Sequence, residues 1–295
     1  MTDFKNAFEP IVDVETRPEP TLLTGNKEFD EWFSNDGGMV IGSSIFLTGT
    51  SGAGKTTLAV FLMKLLENYM TVLYSREMSR GSVKQQTKNM NVTNPNAMIA
   101  DEKTCPNFSV FMQALDHAKP KVVIVDSLQV IAKSDFPEMS ESDAQYLIIK
   151  QLRAWVEDNN AVLFMIGHNT KDGEFRGDNT IMQMFDAHME MIHHKKENFR
   201  TIAWGQKNRK GPLDKMYYEF SADGIMFYTE NQWNSKSGSK LVLDTVYEMV
   251  QSYVGSINRN HPSFTDFAED MRIELKQLSG NRDEDIVETL MIVNR

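Results

Sequence analysis

The sequence predicts an α/β fold with a mainly parallel sheet, and three observations predict it. Short apolar runs recur at 45–48, 71–75, 121–125, 161–166 and 200–205. Amphipathic helical patterns fall between several of them, at 56–69, 108–118 and 144–157. Alternation of the two periodicities is what the crossovers of a parallel sheet require. The third observation is the stretch Gly49, Thr50, Ser51, Gly52, Ala53, Gly54, Lys55, Thr56, Thr57, which joins the first apolar run to a segment carrying Leu58, Phe61, Leu62 and Leu65.

Taken in order, residues 1–20 are polar with two X-Pro steps between Arg17 and Pro20 and predict an extended arm. Residues 21–230 hold the alternating pattern. From about residue 215 the runs shorten to MYYEF and GIMFY, the mark of hairpins added at a sheet edge. Residues 231–240, rich in Ser, Gly and Asn, predict a linker, and 241–295 predicts a small helical appendage. Its stripes, Val242, Val246, Val250, Tyr253, Ile257 and then Phe264, Phe267, Met271, Leu275, Leu278, fit packing at helical spacing. The acidic character of its end leaves room for a protein partner there. The sequence shows no internal repeat.

Composition narrows the class. The chain is 41% hydrophobic and 24% charged, ordinary for a globular protein. A single cysteine, Cys105, excludes an internal disulfide and a C-x-x-C zinc module. No secretion signal is read, and runs such as AVLFMI at 161–166 are far shorter than a membrane span, so the expected compartment is the cytoplasm. Net charge is −10, which argues against a general nucleic-acid coat. Residues 195–215 run against that balance with seven Lys or Arg and two acids, and an anionic partner is expected there.

The spacing from Gly49 to Gly54, Lys55 and Thr56 fits a phosphate-binding loop, in which backbone N–H groups close around phosphate at a helix N-terminus. Lys55 is expected to reach the outer phosphates of ATP, and the Thr56 hydroxyl to ligate Mg²⁺. KVVIVDSLQVI places Asp126 at the end of a buried strand, where its carboxylate holds the same ion from the other side. In VLYSREMS, Glu77 lies just beyond the run at 71–75. Hydrolysis needs a group that orients and deprotonates water, and a carboxylate at the tip of a strand beside the loop-bearing strand is the expected base. The other reading of Glu77 is a first-turn acid favoured by the dipole of the helix after Ser79. His168 ends the run AVLFMIG, and His193 and His194, adjacent in sequence, are not expected to bind a metal.

VLYSREMS, VVIVDSLQVI, FMIGHNTKDG and QKNRKGPLDKMYYEF together resemble the ATPase core shared by bacterial RadA/Sms recombination proteins and DnaB-type replicative helicases, over roughly residues 20–230. The resemblance implies a RecA-like P-loop core that assembles as a homo-oligomer, usually a hexameric ring, and hydrolyses ATP at subunit interfaces. It implies that Lys207 and Arg209 act in trans on the neighbour's nucleotide, that Gln129 of the Asp-Ser-Leu-Gln form belongs to the nucleotide site, and that His168 senses the γ-phosphate. The loop after His168, with Lys171 and Arg176, is then the expected contact to single-stranded DNA. The zinc finger and protease-like domain of RadA, and the N-terminal helical domain of DnaB, are not expected in this sequence. The stretch AKSDFPEMSESDAQ, with Asp135, Glu138, Glu141 and Asp143, departs from a DNA-facing loop because such a charge repels phosphate.

Three function classes fit these readings. The first is a DNA-dependent ATPase motor or helicase on single-stranded DNA in recombination, repair or replication. The second is a recombinase or annealing filament whose grip ATP controls. The third is a regulatory P-loop ATPase or kinase with no DNA partner, which the acidic balance favours and Lys207 and Arg209 oppose.

Overall fold

The computed structural model describes residues 17–168, 179–195, 199–222 and 224–236. The chain divides into two compact units after Phe227, each described by itself. The N-terminal arm up to residue 16 and the C-terminal stripes beyond residue 240 lie outside the described residues.

A small antiparallel sheet of β1 (Thr21–Leu22) and β2 (Met39–Val40) flanks α1 (Lys27–Phe33), whose start Asn26 caps by accepting from the Phe29 N–H. The main body then alternates as expected. It runs β3 (Ser44–Gly49), α2 (Lys55–Leu65), β4 (Thr71–Ser75), α3 (Arg80–Asn89), β5 (Ala97–Ala100), α4 (Phe108–Ala118) and β6 (Val122–Asp126). It continues with α5 (Leu128–Asp135), α6 (Glu141–Asp158), β7 (Val162–Ile166), α7 (Asn179–Gln183), β8 (Ala187–His194), β9 (Phe199–Asn208), β10 (Lys215–Ser221) and β11 (Gly224–Tyr228). In the second unit, residues 230–236 are helical, overlapping the stretch 231–240 read as linker.

One nine-stranded sheet has the order β11-β10-β9-β8-β3-β7-β6-β4-β5. Pairing is parallel from β8 through to β5 and antiparallel at β8–β9 and β9–β10. The central strands are buried on both faces, and the side-chain period of two sorts them into two cores. Ile45, Leu47, Val122, Ile124, Val162, Phe164 and Ile166 face the layer holding α1 and α2. Phe46, Val123, Val125, Leu163 and Met165 face the layer holding α4, α5 and α6.

Two sequence expectations need correction. Strand β4, which leads to Glu77, is not beside the loop-bearing strand β3, because β7 and β6 lie between them. Strand order is decided by long-range pairing, which local patterning does not encode. Asp135 is also no part of a DNA-repelling loop. It closes α5 with only 4% of its side chain exposed, paired to Arg76, and only residues 136–140 separate α5 from α6.

His188 on β8 is buried, with Nε2 2.7 Å from Thr48 Oγ1 and no partner for Nδ1 among the described residues. Burial pushes its pKa from 6.5 down to about 4. The unfolded chain therefore takes up the proton first, and stability complete above pH 6.5 is lost as pH falls toward 4. The loss attributable to this group between pH 7 and 4 is about 3 kcal/mol. Unfolding measured across that range in wild type and in His188→Gln should show a shallower loss in the variant; equal losses would contradict the assignment.

Candidate active site

Strands β3, β7, β6 and β4 end side by side, and the carboxyl ends of parallel strands are where such folds bind ligands. The loop after β3 shows why its glycines are needed. Gly49 has φ 147, and a Cβ there would lie 2.0 Å from the carbonyl oxygen of Met191 on β8. Gly54, at the cap of α2, has φ 101, and a Cβ there would lie 2.4 Å from the ring of Phe220. Both combine a left-handed backbone with a close approach that a side chain would block.

A cavity of about 340 Å³ opens over this loop. Gly49, Ser51, Gly52, Gly54, Lys55, Thr56 and Thr57 line one wall, and Glu77, Met78, Gln86, Asp126 and His168 line the rest. Among the described residues Lys55 is the only Lys or Arg in that lining. Its Nζ donates to the carbonyls of Gly49 at 2.9 Å and Thr50 at 3.4 Å, so it lies folded over the loop. Burial lowers its pKa, while Asp126 and Glu77 oppose the change. Lys55→Ala removes that charge from the phosphates, a loss of about 2–3 kcal/mol or roughly 30- to 150-fold in nucleotide affinity. Titration with a non-hydrolysable ATP analogue checks it, and unchanged affinity would contradict the role.

Thr56 and Asp126 meet directly, with the hydroxyl donating to Oδ2 at 2.9 Å. The other carboxylate oxygen, Oδ1, is buried and has no hydrogen-bond partner among the described residues. Burial, with Glu77 adding to it, raises the Asp126 pKa to about 6. A hydroxyl beside an orphaned buried carboxylate oxygen fits Mg²⁺, a hard cation that takes oxygen ligands and keeps several waters. When bound with ATP, the ion would neutralise charge on the β- and γ-phosphates.

Glu77 stands two residues past β4 and reaches the same cavity across the ends of β6 and β7. Its Oε2 lies 2.9 Å from His168 Nε2, which is also 3.0 Å from Ser127 Oγ. An ionised carboxylate only accepts, so Nε2 carries the hydrogen in that contact. Glu77 stands two residues before Ser79, the cap of α3, and so lies outside the first turn of that helix, which holds no acid. Gln129 does not line the cavity; its Oε1 accepts from the backbone N–H of His168 at 3.3 Å, supporting the strand end from behind. Thr50 and Ala53 turn to the sheet instead: Thr50 Oγ1 accepts from the N–H of His193, and the Ala53 carbonyl accepts from the Tyr218 hydroxyl at 2.5 Å.

Lys207 and Arg209 lie elsewhere. Lys207 Nζ donates to the carbonyls of Gln183 and Phe185. Arg209 pairs with Asp186 Oδ1 at 3.4 Å, and its N–H donates to the Asp186 carbonyl. Asp186 in turn accepts from the N–H and hydroxyl of Ser44, the first residue of β3. The two cations therefore sit at the opposite end of β3 from the phosphate loop, roughly 17 Å along the strand. The basic run at 195–215 is dispersed by its strands: Arg200 lies over the Phe220 ring at 4.9 Å, and Lys210 pairs with Glu19. Lys171 and Arg176 lie outside the described residues.

Sequence reasoning missed Gln86 and Phe220. Gln86 lines the cavity with Oε1 buried and unpartnered among the described residues. Phe220 caps the loop from β10 and stays 40% exposed. Glutamine on a polar helix and a phenylalanine in an edge hairpin carry no motif, and only the fold brings them to the loop.

Fold and site together define a RecA-like P-loop core. Comparison with known proteins agrees. A family model described as an AAA domain matches residues 45–163. The DNA repair protein RadA of Salmonella typhimurium is 28% identical over 210 residues, covering 70% of this chain and 44% of that protein. RadA of Bacillus subtilis is 28% identical over 220 residues, covering 73% and 47% respectively. This chain thus spans about half the length of the curated relatives it matches. A KaiC-like protein of the hyperthermophilic archaeon Pyrococcus horikoshii shares the fold, with a TM-score of 0.59 at 17% identity, over 72% of this chain and all of that one. The resemblance to the RadA ATPase core, read from the sequence, is borne out. Among the described residues no helix is long and apolar enough to cross a membrane.

Proposed function

We propose that this chain is an ATPase of DNA repair or recombination that works as a homo-oligomer on single-stranded DNA, hydrolysing ATP between subunits with Mg²⁺ as cofactor. The separation of Lys207 and Arg209 from the cavity of their own subunit carries this reading. Lys55 alone among the described lining residues brings a full positive charge, whereas phosphoryl transfer develops charge that a second cation stabilises strongly. Two cations at the far end of β3 are out of reach in cis, and the exposed Arg209, held among the described residues only by a surface pair with Asp186, can turn to a neighbour's nucleotide. Glu77 acts as base on the attacking water, and His168, in contact with Glu77 and just ahead of Lys171 and Arg176 in the sequence, relays the state of the γ-phosphate to DNA. A ring, most simply a hexamer, would bring these cations to a neighbour's nucleotide, and helicase activity is one use of such a motor. The RadA relatives, named as DNA repair proteins, support the DNA assignment.

Steady-state ATP hydrolysis with and without single-stranded DNA, at two salt concentrations, tests it. Non-specific strand binding rests on phosphate contacts and weakens steeply with salt, so a several-fold stimulation that disappears at the higher salt is expected. A rate indifferent to DNA, from protein that binds ATP, would favour a regulatory ATPase or kinase.

A further inference from the structure

Arg76 precedes Glu77, and its side chain enters the opposite layer. Only 4% of that side chain is exposed. Its Nη2 donates to both carboxylate oxygens of Asp135 at 2.9 and 3.1 Å and to the Pro106 carbonyl at 2.7 Å. Its Nε donates to the Tyr74 hydroxyl at 3.1 Å, and Nη1 lies 3.5 Å from the exposed Glu102. The Tyr74 hydroxyl in turn donates to Asp135 Oδ2 at 3.3 Å. Finally, the backbone N–H of Arg76 donates to the carbonyl of Asp126 at 2.9 Å.

One residue thus grips both ends of a single segment. Its backbone holds Asp126, where α5 is about to begin, and its guanidinium holds Asp135, where α5 ends. The turn that carries Glu77 is tied to the strand end that carries Asp126 by the Arg76 backbone and to the end of α5 by its side chain. A buried ion pair is weak evidence for stability, because apolar residues of similar volume often serve as well or better. A rigid planar fork is well suited to fixing geometry. Displacement of a reacting group by about 1 Å can cost on the order of 10²-fold in rate.

We propose that Arg76 is a positioning residue for hydrolysis: through Asp135, Tyr74 and the Asp126 carbonyl it fixes Glu77 in register with the metal-binding carboxylate. The proposal rests on Glu77 being the base and adds to it the device that aims it.

The test separates aim from stability. The double variant Arg76→Met/Asp135→Leu replaces the pair by apolar side chains, and Arg76→Lys keeps the charge but loses the fork. Measured for each are the unfolding temperature, the affinity for a non-hydrolysable ATP analogue with Mg²⁺, and kcat at saturating ATP under conditions that give wild-type turnover. Glu77→Gln runs alongside. The expected result is analogue affinity within about threefold of wild type and kcat at least tenfold lower in both variants, including any whose unfolding temperature matches wild type. Wild-type kcat in a folded double variant overturns the positioning role, and so does a loss of kcat that appears only together with lost analogue binding and lost stability in both variants. If Glu77→Gln itself turns over normally, the base assignment fails first, a result distinguishable from the others.

Discussion

Glu77→Gln is expected to leave ATP binding intact and to lower the hydrolysis rate by about 10²- to 10⁴-fold, the range for loss of a general base. Gln keeps the size of the side chain and a carbonyl oxygen for His168 Nε2, so the 2.9 Å contact survives in form while the basic group is gone. Binding is not expected to suffer, because the Glu77 charge is one of the causes holding the Asp126 pKa up at about 6. Without that charge Asp126 ionises more readily. Single-turnover hydrolysis alongside analogue binding checks both halves, and full activity in the variant would remove Glu77 from the chemistry.

Arg209→Ala is the second large effect. A finger on the transferred phosphoryl group contributes about 10³- to 10⁵-fold in kcat, so its loss should nearly silence the oligomer while each subunit still binds ATP. Folding should be indifferent. The Arg209 side chain is 56% exposed, and a surface pair such as that with Asp186 contributes about 0–1 kcal/mol. Asp186 keeps its bonds to Ser44 and its pairing with Arg153 at 3.6 Å. An unchanged unfolding temperature with lost turnover is the expected pair of results; retained turnover would take Arg209 out of the mechanism.

What the sequence disclosed depended on how local each signal was. The loop from Gly49 to Thr57 and the strand ending in Asp126 are contiguous in the chain, so spacing and apolar runs were enough to place them. Strand β8 was not read as one. Met189 and Met191 face the core, but Glu190 and the two terminal histidines break the apolar run that marks a buried strand. Helix α3 was equally quiet, with Val83 its only buried residue.

Other features depend on which distant residues meet. The pairing of Arg76 with Asp135 spans 59 positions, and seen alone Asp135 belongs to an acidic run that reads as surface. The place of β4, with two strands between it and β3, follows from sheet order, which sets how far Glu77 must reach. The far-end position of Lys207 and Arg209 follows from the register of β8 and β9, not from their motif. Motif spacing therefore named the groups, and long-range pairing decided what each can touch.

The central claim is that one active site takes Glu77 from one subunit and Arg209 from its neighbour. Mixing an Arg209→Ala chain with a Glu77→Gln chain tests it most directly, with co-assembly shown independently by a tag on one chain. Each variant is inactive alone, but about one in four of the interfaces in a random equimolar mixture pairs an intact Glu77 with an intact Arg209. Recovery of ATP hydrolysis on mixing is the predicted result. A mixture that co-assembles and stays inactive would contradict the arrangement.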